Sequence, residues 1–328
     1  MKVYLGAVRG QPHVNDPVDA FRRLAAADTV GRHHLADDPE DADVLLYPQC
    51  HMLGSADWQL AAIRDDPVAR RFPEKVTVYD ERDRPWRAFP GIYVSMPQGR
   101  FDIYRQRAWS YYTVPDVTPQ DLNPDLLFSF VGSDTARCRR PLFELHHPDA
   151  IVEEARGFVF WDPESVDFAA RRARYQATTQ RSRFVLCPRG HGTSSIRLYE
   201  TLAAGRVPVI ISDDWVPPVG PDWSTMSIRW PEGCVDGLVE TLQAFDNRWD
   251  EMSKAARMAY EMYFAREVAF DRIAELCDQL RRTRLRSAAS PSVWRDAEYA
   301  RAAAQVANAR ARTAVRPLVA MARKSLAR

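Results

Sequence analysis

The residues best suited to chemistry lie in one stretch, Phe184 to Pro218, FVLCPRGHGTSSIRLYETLAAGRVPVIISDDWVPP. Gly190 and Gly192 allow a ligand to come close to the backbone. Thr193, Ser194 and Ser195 are all N-cap residues, so a helix should begin near them. Its first turn would present unpaired N–H groups and the positive end of the helix dipole. Arg189 and Arg197 add cationic donors on either side. The natural guest of such a loop is a phosphate or diphosphate. Glu200, at the edge of the apolar arc formed by Ile196, Tyr199, Leu202 and Ala203, is a suitable acceptor for vicinal hydroxyls such as those of a ribose. The same residues also read as ordinary capping chemistry, with Glu200 a solvated partner of Arg197.

The elements that must position these residues follow from the pattern. Phe184–Cys187 and Val207–Ile211 are apolar runs on either side of the loop and its helix. Strand, glycine loop, helix, strand is a βαβ unit with parallel strands. Further strands are expected at 3–5, 44–47, 76–79 and 126–131, with helical segments near 17–27, 164–183, 236–245, 251–264 and 270–280. Strands alternating with helices predict a parallel α/β sheet. Residues 113–124 carry Pro115, Pro119 and Pro124 and few apolar side chains, which places a domain linker there. The expected division is 1–115, 116–284 and a basic, helix-prone tail at 285–328. The aromatic residues dense between Trp86 and Tyr112 read as core and interface packing rather than as a sugar platform.

The 328 residues suffice for two domains, and 46% hydrophobic content makes the chain globular. The net charge of +1 is unevenly spread. Residues 281–328 hold 12 Arg/Lys against 2 Asp/Glu, a local charge of +10 that leaves −9 for residues 1–280. An acidic body excludes nucleic acid as its partner. Cys50, Cys138, Cys187, Cys234 and Cys277 are odd in number and scattered, as in a reducing compartment. The N-terminus lacks the apolar core of a signal peptide, and no run of about 18 apolar residues is present. Metal ligation has little support. His33-His34 and His146-His147 are adjacent pairs, which do not share a face. Asp41-Ala42-Asp43 spells D-x-D but precedes its apolar run instead of following it. A serine-hydrolase elbow is excluded, since Gly192-Thr193-Ser194-Ser195 lacks the second glycine.

The pattern F-x-L-x-P-R-G-x-G-x-x-S-x-R-L-Y-E-x-L-x-x-G-x-x-P-V-I-x-x-D, from Phe184 onward, resembles the signature of exostosin-type glycosyltransferases, glycosyltransferase family 47. Looser similarity extends to Leu127–Ser133 with Arg137, Arg139 and Arg140, to Asp43–Pro48 and to Pro90–Tyr93. The resemblance implies a GT-B-like fold, with two Rossmann-like parallel-sheet domains facing a cleft. It also implies an inverting, metal-independent transfer from a nucleotide-diphosphate sugar, a UDP-sugar by preference, to a glycan or lipid-linked acceptor. No cofactor is expected. Lacking the membrane anchor of eukaryotic exostosins, the chain is expected to be a bacterial, cytoplasmic relative in surface polysaccharide synthesis. Its tail is read as a helix packed on the body or as a peripheral contact with the anionic inner face of the plasma membrane.

Within that reading Gly190, Gly192, Thr193, Ser194 and Ser195 cradle the diphosphate. Arg189, Arg197 and one arginine of the upstream triplet balance its charge. Arg139 is the first choice by its spacing from Gly132. Glu200 holds the ribose, and Asp213 stands at the end of the following strand. Inverting transfer is a single in-line displacement and needs one base, expected from the first domain. The candidates stand after strands: His13, His51, Asp80 and Glu81. Two rivals stay open, a retaining GT-B enzyme and a non-catalytic subunit partnering an active transferase.

Overall fold

A computed structural model describes residues 1–7, 17–49, 56–85, 87–112, 117, 119, 123–155, 167–286, 292–295, 297–305 and 307–308. The first half runs β1 (Lys2–Leu5), α1 (Pro17–Ala27), β2 (His34–Leu35), β3 (Val44–Gln49), α2 (Ala56–Asp65), α3 (Pro67–Arg71), β4 (Val76–Asp80), β5 (Gly91–Tyr93) and β6 (Gln106–Ala108). The second runs β7 (Leu126–Gly132), β8 (Ala150–Glu154), α4 (Phe168–Arg181), β9 (Ser182–Pro188), α5 (Ile196–Ala203), β10 (Val207–Ile211), α6 (Trp223–Met226), β11 (Ile228–Arg229), α7 (Leu238–Phe245), α8 (Trp249–Ala259) and α9 (Arg266–Arg286).

Two all-parallel sheets result. The first is ordered β2-β1-β3-β4-β5-β6 and the second β11-β10-β9-β7-β8. Both are doubly wound, because the order reverses once in each, between β1 and β3 and between β7 and β9. The expected architecture of two Rossmann-like halves, GT-B-like, is therefore the one the chain adopts. β4, β9 and β10 are buried almost throughout, which explains why they read as continuous apolar runs rather than as alternation. β2, β5, β6, β8 and β11 escaped the sequence reading. β2, β5, β6 and β11 have two or three residues each, and β8 (AIVEE) is half-buried and ends on two glutamates.

The halves share one core. Val3, Phe21, Tyr79 and Trp109 of the first pack in one cluster with Val185, Leu198, Tyr199 and Phe264 of the second. Rings continue it across the seam, Tyr111 to Tyr199 at 6.1 Å and Trp109 to Phe264 at 5.1 Å. α9 contributes Phe270, Ile273, Ala274, Cys277 and Leu280 to that cluster and touches α1, β3, β5 and β6. Grouped by sequence with the second domain, α9 is thus by packing a helix of the first. A single extended residue, Ala265, after a π turn at Tyr260–Phe264, redirects the chain across.

The chain after α9 behaves likewise. Val293, Tyr299 and Ala302 are buried against Leu45, Val78, Phe89 and Tyr93. Phe89 meets the rings of Trp294 at 6.1 Å and Tyr299 at 5.7 Å, and Arg87 pairs with Glu298 at 3.5 Å. Val293, Trp294, Tyr299 and Ala302 thus pack on the first half's core, while residues 309–328 lie outside the described residues. No described helix is long and apolar enough to cross a membrane.

Candidate functional site

In a doubly wound sheet the loops after the two strands at the reversal leave in opposite directions and open a crevice at their carboxyl ends. Here those strands are β7 and β9. The chain after β7 forms one wall, Gly132 to Arg139; the loop Arg189 to Ser195 forms the other. Two hydrogen bonds brace that loop against the end of β10: Arg189 N–H donates to the Ile211 carbonyl at 3.0 Å, and the Ser212 hydroxyl donates to the Thr193 carbonyl at 2.8 Å.

Arg139 ties the walls together. Its Nε donates to the Arg189 carbonyl at 2.7 Å, Nη1 to Ser133 at 2.9 Å and Nη2 to Pro188 at 3.1 Å. Burial, with Arg197 nearby, lowers its pKa to about 10, so it stays cationic at neutral pH. Arg137 and Arg140 face solvent, and Arg140 pairs with Asp134 at 2.8 Å. Of the triplet it is Arg139 that turns inward.

Arg197, one residue into α5, is 8% exposed and crosses the crevice floor. Its Nη2 donates to the Val131 carbonyl, and its guanidinium lies over the rings of Phe130 at 5.0 Å and Tyr175 at 5.6 Å. Nε and Nη1 are buried without a partner. A Cβ at Gly132 would stand 2.8 Å from Arg197 Nη2 and 3.2 Å from the Phe130 ring. Glu200 is also buried, at 3% exposure, and Oε2 accepts the Tyr175 hydroxyl at 2.7 Å. Burial raises its pKa, while the Tyr175 hydrogen bond, Arg197 and Arg172 oppose the rise. The solvated Arg197–Glu200 surface pair weighed from sequence is not what forms.

The Thr193 hydroxyl is buried without a hydrogen-bond partner, as is Thr135 Oγ1, which lies 3.5 Å from a Cβ built at Gly190, and the buried Ser194 hydroxyl sits beside Tyr111 and Tyr199. α5 begins at Ile196, directly after the three candidate N-caps. Ser195 is its extended N-cap, but its hydroxyl caps no backbone N–H. Arg189 leaves the crevice: Nη2 donates to the His191 carbonyl at 3.2 Å and Nη1 lies 3.8 Å from Glu232. Asp213 is exposed and locked to the same glutamate, Glu232 N–H donating to Oδ1 at 3.2 Å and Asp213 N–H donating to Glu232 Oε1 at 3.0 Å. Arg189, Asp213 and Glu232 thus form a cluster at the mouth of the site.

The first half meets the glycine loop from across the seam. A Cβ on Gly192 would stand 2.6 Å from both Asp83 Oδ1 and Ser95 Oγ, so only glycine permits this approach. Gln98 N–H donates to the Asp214 carbonyl at 2.9 Å. Asp80 is fully buried, its carboxylate gripped by the Arg82 guanidinium and accepting the Arg82 N–H at 2.9 Å. Glu81 is buried as well and accepts the Tyr112 N–H. Asp83, three residues after Asp80, is the exposed carboxylate of this turn and faces the loop. His13 and His51 lie outside the described residues.

Among the described residues no group of three His, Cys, Asp or Glu side chains is placed to hold a metal ion. Asp43 accepts the Lys2 N–H at 2.8 Å, a strand-edge contact rather than a ligand position. Sequence alone missed Tyr175, Ser95 and Glu232. All three join the site through loops or helices outside any motif.

Residues 124–245 match the family model described as the Exostosin GT47 domain. An Exostosin-1 homolog of Caenorhabditis elegans is 36% identical over 95 residues, 28% of this chain and 25% of the relative. Exostosin-2 of Bos taurus is 34% identical over 110 residues, 31% of this chain and 15% of the relative. The chain therefore spans a quarter or less of the length of these relatives. Among solved structures, a glycosyltransferase from Rickettsia africae overlays at a TM-score of 0.40 with 10% identity, covering 85% of this chain and 98% of its own. The half that carries the crevice is exostosin-like.

Proposed function

We propose that the protein is a glycosyltransferase that binds a nucleotide-diphosphate sugar in the β7/β9 crevice and passes the sugar to a glycan or lipid-linked acceptor. The observation that carries this reading is Arg197. A buried guanidinium with Nε and Nη1 unpaired is costly in an empty protein, about 1–3 kcal/mol for each unsatisfied group. A diphosphate lying against the loop would satisfy both.

The roles follow from position. The Gly190–Ser194 backbone and the Thr193 and Ser194 hydroxyls face the diphosphate, and Arg139 and Arg197 offset the charge that grows as it departs. Such protein cations perform the task a metal performs elsewhere, and the transfer is proposed to run without one. Arg189 and Asp213, already paired through Glu232, gate the mouth. Glu200 receives the ribose hydroxyls. The sugar's C1–O bond to the diphosphate breaks as the acceptor oxygen bonds to C1 from the opposite face, inverting it. The acceptor proton goes to a carboxylate of the turn after β4. Asp80 and Glu81 are both engaged internally, whereas Asp83 is open to the cleft.

That engagement also favours a second reading, a nucleotide-binding subunit without its own turnover. Purified protein separates the two: transfer or slow hydrolysis of a UDP-sugar in EDTA supports the enzyme, and binding without either supports the subunit. A thermal-shift screen of nucleoside diphosphates and their sugar conjugates identifies the base, with a UDP-sugar expected to stabilise most. Work on a surface polysaccharide at the cytoplasmic face of a membrane completes the proposal, supported by the +10 charge of residues 281–328.

A further inference from the structure

We propose that Tyr175 is the positioning residue of this subsite, setting by one side chain the orientation of both the acceptor group Glu200 and the cation Arg197. The inference rests on the donor-site reading above. Tyr175 projects from α4, the helix that leads into β9, and belongs to no motif. Its hydroxyl donates to Glu200 Oε2 at 2.7 Å and its ring lies 5.6 Å from the Arg197 guanidinium carbon. The Phe130 ring lies 5.0 Å from the same carbon.

Each contact removes a freedom that would otherwise be lost on binding. The hydroxyl occupies one carboxylate oxygen and leaves Oε1 to the ligand. The ring and Phe130 pack on the guanidinium while Nη2 is held by Val131, so Nε and Nη1 keep one direction. Preorganisation of this kind strengthens binding without adding a ligand contact. The hydroxyl also helps to keep Glu200 ionised against its burial. The charged and titratable groups facing Glu200 are Tyr175 and Arg172 from α4, Arg197 from α5 and Cys187 from β9. A carboxylate accepts ribose hydroxyls better than a carboxylic acid does, so donor affinity should fall as pH drops through the titration of Glu200. Losing the Tyr175 donor raises that titration, and the fall should begin at a higher pH.

The test titrates UDP-glucose into the full chain by calorimetry between about pH 5 and 8, a range in which its diphosphate diester stays a dianion and its charge does not change. Tyr175→Phe keeps the stack and removes the hydroxyl. It is expected to weaken binding about tenfold at neutral pH, with the acid limb displaced upward and the gap narrowing toward the alkaline end. Tyr175→Leu, which also removes the stack, should weaken it further. Glu200→Ala should bind weakly with no acid limb. If Tyr175→Phe shows the wild-type affinity and pH profile while Glu200→Ala is impaired, the positioning role is refuted and the donor site stands. If Glu200→Ala also binds as wild type, the donor-site reading itself falls.

Discussion

Replacing Arg197 by Met separates a ligand-binding role from a structural one, because the two predict opposite balances of stability and affinity. Met fills a similar channel and adapts to the gap between Phe130 and Tyr175. In the empty protein the change loses the Nη2 bond to Val131, a charged hydrogen bond of about 1.5–3 kcal/mol. It also loses two cation–π contacts of about 0.5–1 kcal/mol each. Against this it removes two buried unsatisfied nitrogens, at about 1–3 kcal/mol each. The terms are of equal size, so the unfolding free energy should change by no more than about 1 kcal/mol, read by urea denaturation. Donor affinity should behave differently. Two charged hydrogen bonds to a diphosphate are lost, and even one, at about 1.5–3 kcal/mol, corresponds to a 10- to 150-fold rise in Kd for a UDP-sugar. The reasoning is refuted if Arg197→Met destabilises the empty protein by more than about 3 kcal/mol and leaves the calorimetric affinity intact; Arg197 would then be a structural strut.

Gly192→Ala should force the loop and the first half apart, since its Cβ meets Asp83 and Ser95 at 2.6 Å; a loss of about 1–3 kcal/mol in stability is expected, together with weaker donor binding, and an unchanged melting curve would deny the close approach. Asp83→Asn should lower turnover about 10²- to 10⁴-fold with donor affinity retained, whereas Asp80→Asn should cost about 3–5 kcal/mol of stability by stranding Arg82; full turnover in Asp83→Asn would exclude it as the base. Truncation after Arg286 removes the buried Val293 and Tyr299 and should cost about 3–5 kcal/mol. Truncation after Asn308, by removing six Arg/Lys, should abolish the co-sedimentation of the full chain with anionic vesicles at low salt; equal sedimentation of both would dismiss the membrane contact.

What the sequence by itself determined was local. The apolar runs at Phe184 and Val207, the glycines between them and the Arg197–Glu200 helix follow from propensity and periodicity over thirty-odd residues, and those signals do not depend on the rest of the chain. Strands that both faces bury are legible for the same reason. Tertiary structure decided everything that joins residues far apart. Arg137, Arg139 and Arg140 have the same chemistry and nearly the same neighbours; only the carbonyls of Ser133, Pro188 and Arg189, brought together at the sheet's reversal point, select Arg139. Glu200 read equally well as a surface residue until α4 laid Tyr175 against it. Asp80 and Asp83 stand three residues apart in one charged turn, yet burial beside Arg82 engages the first while the seam leaves the second facing Gly192. The basic composition of residues 285–328 left a helix packed on the body and a membrane contact both open, and named no surface for such a helix to meet. The few apolar side chains there, Val293, Trp294 and Tyr299, have a place to go only because α9 carries the chain back across the cleft to the first sheet. Charge is summed along a chain, but burial is decided by what lies across from it.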